Sequence, residues 1–208
     1  QRSRLQDWLG ARRARIDRIV FTGMGTSYIA TYPTLLHLTT HGVNALAVET
    51  AELLYYQQDL LTENTLLVGI SQSCRSIELQ KLLGSIPQPT PLLAVTNTPD
   101  SPLAAMADLT LFMEAGDERA ASTKTYMASL AVLGLLSHDL AEQDITPART
   151  AIEASADLIQ GSLADWRAQV QARVMALKGS QFYVFLGRGP SQASAMASAL
   201  ITKESAKL

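Results

Sequence analysis

The side chains best suited to chemistry in this 208-residue chain sit in three short polar loops. Ser71-Gln72-Ser73-Cys74-Arg75-Ser76 follows directly on the apolar run Leu66 to Ile70 and concentrates hydroxyls where a helix is expected to start. Hydroxyls and free backbone N–H groups at a helix start suit a dianion such as phosphate, because unpaired donors and the helix dipole both favour negative charge. An isolated serine there would only cap its helix; the density of hydroxyls favours the anion. Gly23-Met24-Gly25-Thr26-Ser27 offers glycines that allow close backbone approach, then hydroxyls opening a second helix. Ala121-Ser122-Thr123-Lys124 opens a third. Its hydroxyls can reach a ligand, while Lys124 suits an anion contact or an ordinary surface position.

Other chemistries fit these residues poorly. A dinucleotide fingerprint would need a third glycine where Tyr28 stands, and Glu49 would have to hold the ribose. A hydrolase elbow requires Gly-x-Ser-x-Gly, but Gly69-Ile70-Ser71-Gln72-Ser73 ends in serine. Cys74 at a helix start would be a stabilised thiolate, yet no histidine base lies nearby in sequence. This single cysteine also excludes an internal disulfide framework and a cysteine-based zinc cluster. His37, His41 and His138 cannot supply three metal ligands from one local motif; His37 and His41 read as a plain helix surface.

These loops come together if each ends a strand of a parallel sheet, whose ligands bind at the strands' carboxyl ends. The chain alternates short Leu- and Val-rich runs with helical patterns, the signature of such a sheet with helices on both faces. The expected strands are 19–21, 45–48, 66–70, 92–95 and 109–112, with helices after Thr26, Glu49, Ser73 and Asp100. A three-layer, doubly wound, flavodoxin-like five-stranded parallel α/β sheet follows. The segment from Ser122 to Leu140 has almost no polar face and must be buried against something. A long helix is expected from about Pro147 to Leu177, then a sixth strand at 182–186 and the turn Gly187-Arg188-Gly189-Pro190-Ser191, which echoes the first glycine loop. The implied organisation is a first domain over 1–145, a linking helix over 146–180, and over 181–208 the opening βα unit of a second, similar domain. The chain starts at Gln1 and stops at Leu208 inside a helical pattern, so both ends read as trimmed.

The four motifs, in this order, resemble the SIS (sugar isomerase) family, and most of all the isomerase domains of glucosamine-6-phosphate synthases and stand-alone phosphosugar isomerases and deaminases. The resemblance runs from Arg18 onward. It implies paired doubly wound domains and a phosphosugar ligand. It implies that Ser71, Gln72, Ser73 and Ser76 grip the phosphate beside Gly25, Thr26 and Ser27, and that Ser122, Thr123 and Lys124 contact the sugar. It further implies that Glu204, in the Lys203-Glu204 pair, is the base moving a proton between two sugar carbons. From spacing alone Glu204 reads rather as a surface residue paired with Lys207, and it is the resemblance that favours the base. Aldose–ketose interconversion through an enediol or enolamine needs such a carboxylate and no metal or redox cofactor. Two positions depart from the family pattern: Cys74 replaces the usual glycine, so a side chain must be carried through that turn, and Arg75 replaces an acidic residue common in the synthases. No amidotransferase segment is present, which excludes glutamine-dependent synthesis by this chain alone. The resemblance also admits a phosphosugar-sensing module without catalysis.

Composition bounds the partners. Charged residues make up 17% of the chain against about 25% in ordinary domains, which hints at oligomerisation and, with the apolar 122–140 helix, at a homodimer. A net charge of −2 with no basic block argues against nucleic acid. No run approaches the ~20 apolar residues of a membrane span and no signal region opens the chain, so no membrane association and a cytoplasmic location are expected.

Overall fold

The computed structural model describes residues 1–206 of the chain. In order, the elements are α1 (Arg2–Gly10), β1 (Arg18–Gly23), α2 (Thr26–Ile29), α3 (Thr31–Thr40), β2 (Ala45–Glu49), α4 (Thr50–Tyr56), β3 (Thr65–Ser71) and α5 (Ile77–Ser85). They continue with β4 (Leu92–Thr96), α6 (Pro102–Met106), β5 (Leu109–Phe112), α7 (Lys124–Leu140), α8 (Thr146–Leu163), α9 (Trp166–Leu177) and α10 (Ser191–Ala206). All five strands pair in parallel in the order β2-β1-β3-β4-β5. This is the doubly wound order whose direction of winding reverses between β1 and β3, the switch point where such sheets bind ligands.

The strands read as unbroken apolar runs because helices cover both faces. Ile19 and Phe21 of β1, Leu66, Val68 and Ile70 of β3, and Leu93 and Val95 of β4 point to one side, where they meet Leu5 and Leu9 of α1, Leu38 of α3, and Leu133 and Leu136 of α7. The intervening Val20, Leu67, Leu92 and Ala94 point to the other, against Leu53 of α4, Leu79 and Leu82 of α5, and Leu103 of α6. The apolar helix expected after Ser122 is α7, and its burial is largely internal: Tyr126, Ser129, Leu133, Leu136 and Leu140 are buried. One element escaped the sequence reading. Leu5 and Leu9 are one helical turn apart and dock α1 beneath the core, while Arg2 pairs with the buried Asp139 at 3.0 Å.

Two expectations are corrected. The single long helix breaks at Asp165, whose backbone (φ −133°, ψ 21°) is not helical, so α8 and α9 are separate. The 182–186 run forms no strand: it is exposed along its length and is absent from the five-stranded ladder. A run rich in strand-forming residues becomes a strand only with hydrogen-bonded neighbours, and among the described residues none flanks it. The turn that follows does form, with Gly189 at φ 57° leading into α10.

The structure adds His138 to His37 and His41, the pair that the sequence already places on one helix surface. The His37 ring lies 4.3 Å from that of His41 and 4.1 Å, nearly parallel, from that of His138 on α7. Among the described residues no group of metal-ligating side chains is suitable for holding an ion. His37 Nδ1 is buried without a partner. Burial, then the neighbouring His138 and His41, hold its pKa below the ordinary histidine range. A histidine whose folded pKa is depressed contributes stability above its unfolded pKa of about 6.5 and loses it as the pH falls through the folded value. We therefore expect the melting temperature to drop from pH 7 to pH 5.5 more steeply in the wild type than in His37→Leu; parallel slopes would show that the histidine stack is not acid-sensitive.

Candidate functional site

Three of the polar loops and the β4–α6 connection meet at the carboxyl edge of the sheet. Register places them there: Thr22 pairs with Gly69, Ser71 with Thr96, and Thr96 with Phe112. The first loop needs its glycines for two reasons. A Cβ on Gly23 would lie 3.0 Å from both Ile70 O and Tyr28 N, and Gly25 sits at φ 55°. These glycines bring the start of α2 against the end of β3 and leave Gly25 exposed, Thr26 buried and Ser27 half-buried.

The 71–76 loop is shaped from within and anchored from β4. Ser71 Oγ accepts from Cys74 N–H at 3.0 Å. Gln72 O accepts from Asn97 N–H at 3.3 Å and from Thr98 Oγ1 at 3.0 Å. Cys74 carries the turn at φ 56° with its side chain in place, as the departure from glycine requires, and its buried sulfur lies 3.7 Å from Thr96 Oγ1. That burial removes it from the list of exposed nucleophiles. Ser76 occupies the cap position of α5, yet its side chain makes no capping hydrogen bond. The N–H groups of the first helical turn therefore lack the usual side-chain acceptor, and the half-buried Ser71, Gln72 and Ser73 stand just before them in the chain.

The third loop is organised by a residue the sequence reading did not single out. Glu118 Oε2 accepts from the backbone N–H of Thr123 at 3.1 Å and of Thr125 at 2.9 Å, and from the Thr125 hydroxyl at 3.0 Å. Burial is the largest single influence on its pKa and acts upward. The hydrogen bonds from Thr125 and Thr123, with the charge of Lys124, outweigh it and hold the carboxyl below its ordinary value. Lys124 Nζ donates to Asp117 O, and Ser122 Oγ is 2.8 Å from Thr125 Oγ1. Asn97 joins this loop to β4, donating to Gly116 O at 2.8 Å and accepting from Ala115 N–H at 2.9 Å. Nothing local in the sequence marks Glu118 or Asn97, since their partners lie on other loops or several residues away.

Helix α10 closes one side. Ala193 and Ala197 are buried, and Leu200 reaches the glycine loop, 3.6 Å from where a Cβ on Gly25 would stand. Ile201 and Ser205 line, with Asp117, Glu118, Thr123 and Lys124, a broad cleft of about 640 Å³. Glu204 lies on this stretch of α10, exposed, on the helical stripe continued from Ala193, Ala197 and Leu200; it is not itself among the cleft-lining residues. Lys207, its alternative surface partner, falls outside the described residues. The dinucleotide alternative loses its second requirement as well: Glu49 caps α4, accepting from Ala51 N–H at 2.8 Å.

A strand-edge site of glycine and hydroxyl loops on this sheet order defines a ligand-binding α/β domain, and comparison with known proteins places it. Residues 14–138 match the family model described as the SIS domain, and the chain belongs to that family. It is 31% identical over 198 residues to glutamine–fructose-6-phosphate aminotransferase (isomerizing) of Pyrococcus horikoshii, an alignment covering 91% of this chain and 33% of that protein. The chain thus spans about a third of the curated relatives it matches. In fold it is similar to the C-terminal domain of glucosamine-fructose-6-phosphate aminotransferase from Francisella tularensis, with a TM-score of 0.84 and 23% identity over 96% of this chain and 59% of that one. It is also similar to a Silicibacter pomeroyi protein provisionally assigned as a phosphosugar isomerase, with a TM-score of 0.77 and 24% identity over 99% and 62% of the two chains.

Proposed function

We propose that this chain binds a phosphosugar at the carboxyl edge of its sheet and serves as an aldose–ketose isomerase or aminosugar-phosphate deaminase/isomerase. The observation that carries the phosphate site is the start of α5, where Ser76 makes no capping hydrogen bond and the hydroxyl-rich Ser71-Gln72-Ser73 turn directly precedes the helix. Gly25, Thr26 and Ser27 complete this end of the site, and Ser122, Thr123 and Lys124 meet the sugar. Anchoring a remote phosphate supplies binding energy that positions the reacting carbons. Glu204 takes the proton from the carbon beside the carbonyl, the C–H electron pair becomes the double bond of an enediol or enolamine, and the carbonyl oxygen gains a proton. Return of the proton one carbon along, with loss of the proton from the other enol oxygen to form the new carbonyl, completes the isomerisation.

Exposure of Glu204, off the lining of the cleft, favours a second reading in which the domain senses the phosphosugar without turning it over. Thermal unfolding against hexose, hexosamine and pentose phosphates, fructose-6-phosphate and glucosamine-6-phosphate among them, followed by exchange into heavy water, separates the two. Stabilisation with carbon-bound exchange supports the isomerase; stabilisation without exchange supports the sensor. No stabilisation by any phosphosugar would refute the phosphate loop.

The site operates in a homodimer located in the cytoplasm, where charged sugar phosphates are retained. What supports pairing is the outer side of α7, where Met127 is 46% exposed one turn from the half-buried Ala131. Light scattering at micromolar concentration should return twice the chain mass, and a monomer would count against this interface. Among the described residues no helix is long and apolar enough to cross a membrane. Residues 146–180 link this domain to a second one opened by 181–208; α10, within that stretch, packs Ala193 and Ala197 back onto the first domain's core.

A further inference from the structure

We propose that Glu118 is a positioning residue that sets the hydrogen-bond polarity of Ser122, making the Ser122 hydroxyl an acceptor for a sugar hydroxyl. The inference rests on the phosphosugar reading and adds to it a division of labour between the loops. It follows from counting protons. An ionised carboxylate has none to give, so in the 3.0 Å contact with Glu118 Oε2 the Thr125 hydroxyl must donate. A hydroxyl has one hydrogen, so in the 2.8 Å contact between Ser122 and Thr125 the Thr125 oxygen accepts and Ser122 donates. Thr125 is buried, while Ser122 is half-buried at the loop surface. Its only hydrogen is directed inward, and its outward lone pairs seek a donor.

A phosphate dianion is an acceptor alone and gains nothing from such a group, whereas a sugar hydroxyl donates readily. The relay from Ser122 through Thr125 to Glu118 therefore suits the sugar end of the ligand and repels the phosphate end. This leaves the phosphate to the 71–76 loop, with its free N–H groups and serines. The same carboxylate holds the loop in place through the Thr123 and Thr125 N–H groups, so orientation and polarity depend on one side chain.

The test compares two probes, fructose-6-phosphate and inorganic phosphate, on the wild-type chain, Glu118→Ala, Glu118→Gln, Ser122→Ala and the double Glu118→Ala/Ser122→Ala variant. The expected result is that Glu118→Ala weakens fructose-6-phosphate binding about tenfold, the scale of one hydrogen bond in a preformed site, and leaves inorganic phosphate within about twofold. The double variant should bind the sugar phosphate no more weakly than the worse single one, because both changes break one relay. Glu118→Gln keeps an acceptor oxygen for the Oε2 bonds and should recover most of the affinity. Additive losses in the double variant, unchanged sugar-phosphate affinity in Glu118→Ala, or equal loss of both probes would each overturn the assignment, the last by showing that Glu118 supports only the fold. Failure of the phosphosugar reading looks different: the wild-type chain itself would bind neither probe, and the proposal would fall with it.

Discussion

Changing Ser71 and Ser73 together to alanine should weaken binding of a sugar phosphate by about a hundredfold to ten-thousandfold, since each hydrogen bond to a charged group is worth about 1.5–3 kcal/mol. The loss is expected to be this large because Ser71 contributes twice. Its oxygen accepts from Cys74 N–H, which holds the turn, while its hydrogen remains available for a phosphate oxygen. The variant should stay folded: both serines are half-buried, and Gln72 O remains tied to Asn97 and Thr98. Titration calorimetry with a phosphosugar and the corresponding neutral sugar checks the assignment. Selective loss of the phosphorylated ligand is expected, and equal loss of both would sink it.

The second large effect concerns Glu204. Glu204→Gln keeps the size of the side chain and removes its ability to take a proton, so exchange at carbon 2 should fall by about 10²- to 10⁴-fold, the usual contribution of a general base. Binding should be unchanged, because glutamine keeps the size of the side chain and a hydrogen-bonding oxygen. Proton exchange by NMR in heavy water measures the first and thermal shift the second. Retained exchange would remove Glu204 from the mechanism.

Much of this site was legible without coordinates. The strand cores at 19–21, 45–48, 66–70, 92–95 and 109–112 all lie inside observed strands, because a sheet covered on both faces demands continuous apolar runs. The hydroxyl loops were legible for a related reason: they stand directly after those runs, and in a parallel sheet every strand ends at the same edge. The need to carry a side chain through the turn at Cys74 was equally plain, and its φ of 56° answers that need.

Properties set by contacts between distant segments were not legible. The 182–186 run has the composition of a strand but no partner among the described residues, and pairing rather than propensity makes a strand. His138 on α7 stacks on His37 of α3, beside the cap residue His41, through a packing of the two helices that no local pattern encodes. Glu118 looks like any loop carboxylate until the start of α7 folds back on it and its oxygens collect the donors of Thr123 and Thr125. The residue sequence, through its apolar periodicity and the place of its hydroxyls, determines that this chain is an SIS-type sheet with a polar edge. The direction in which the Ser122 hydrogen points, the exposure of Glu204 and the depressed pKa of His37 depend on desolvation and on which donors meet which acceptors. Those are decided when the elements pack, because burial and hydrogen-bond geometry are properties of the assembled fold and not of any one segment.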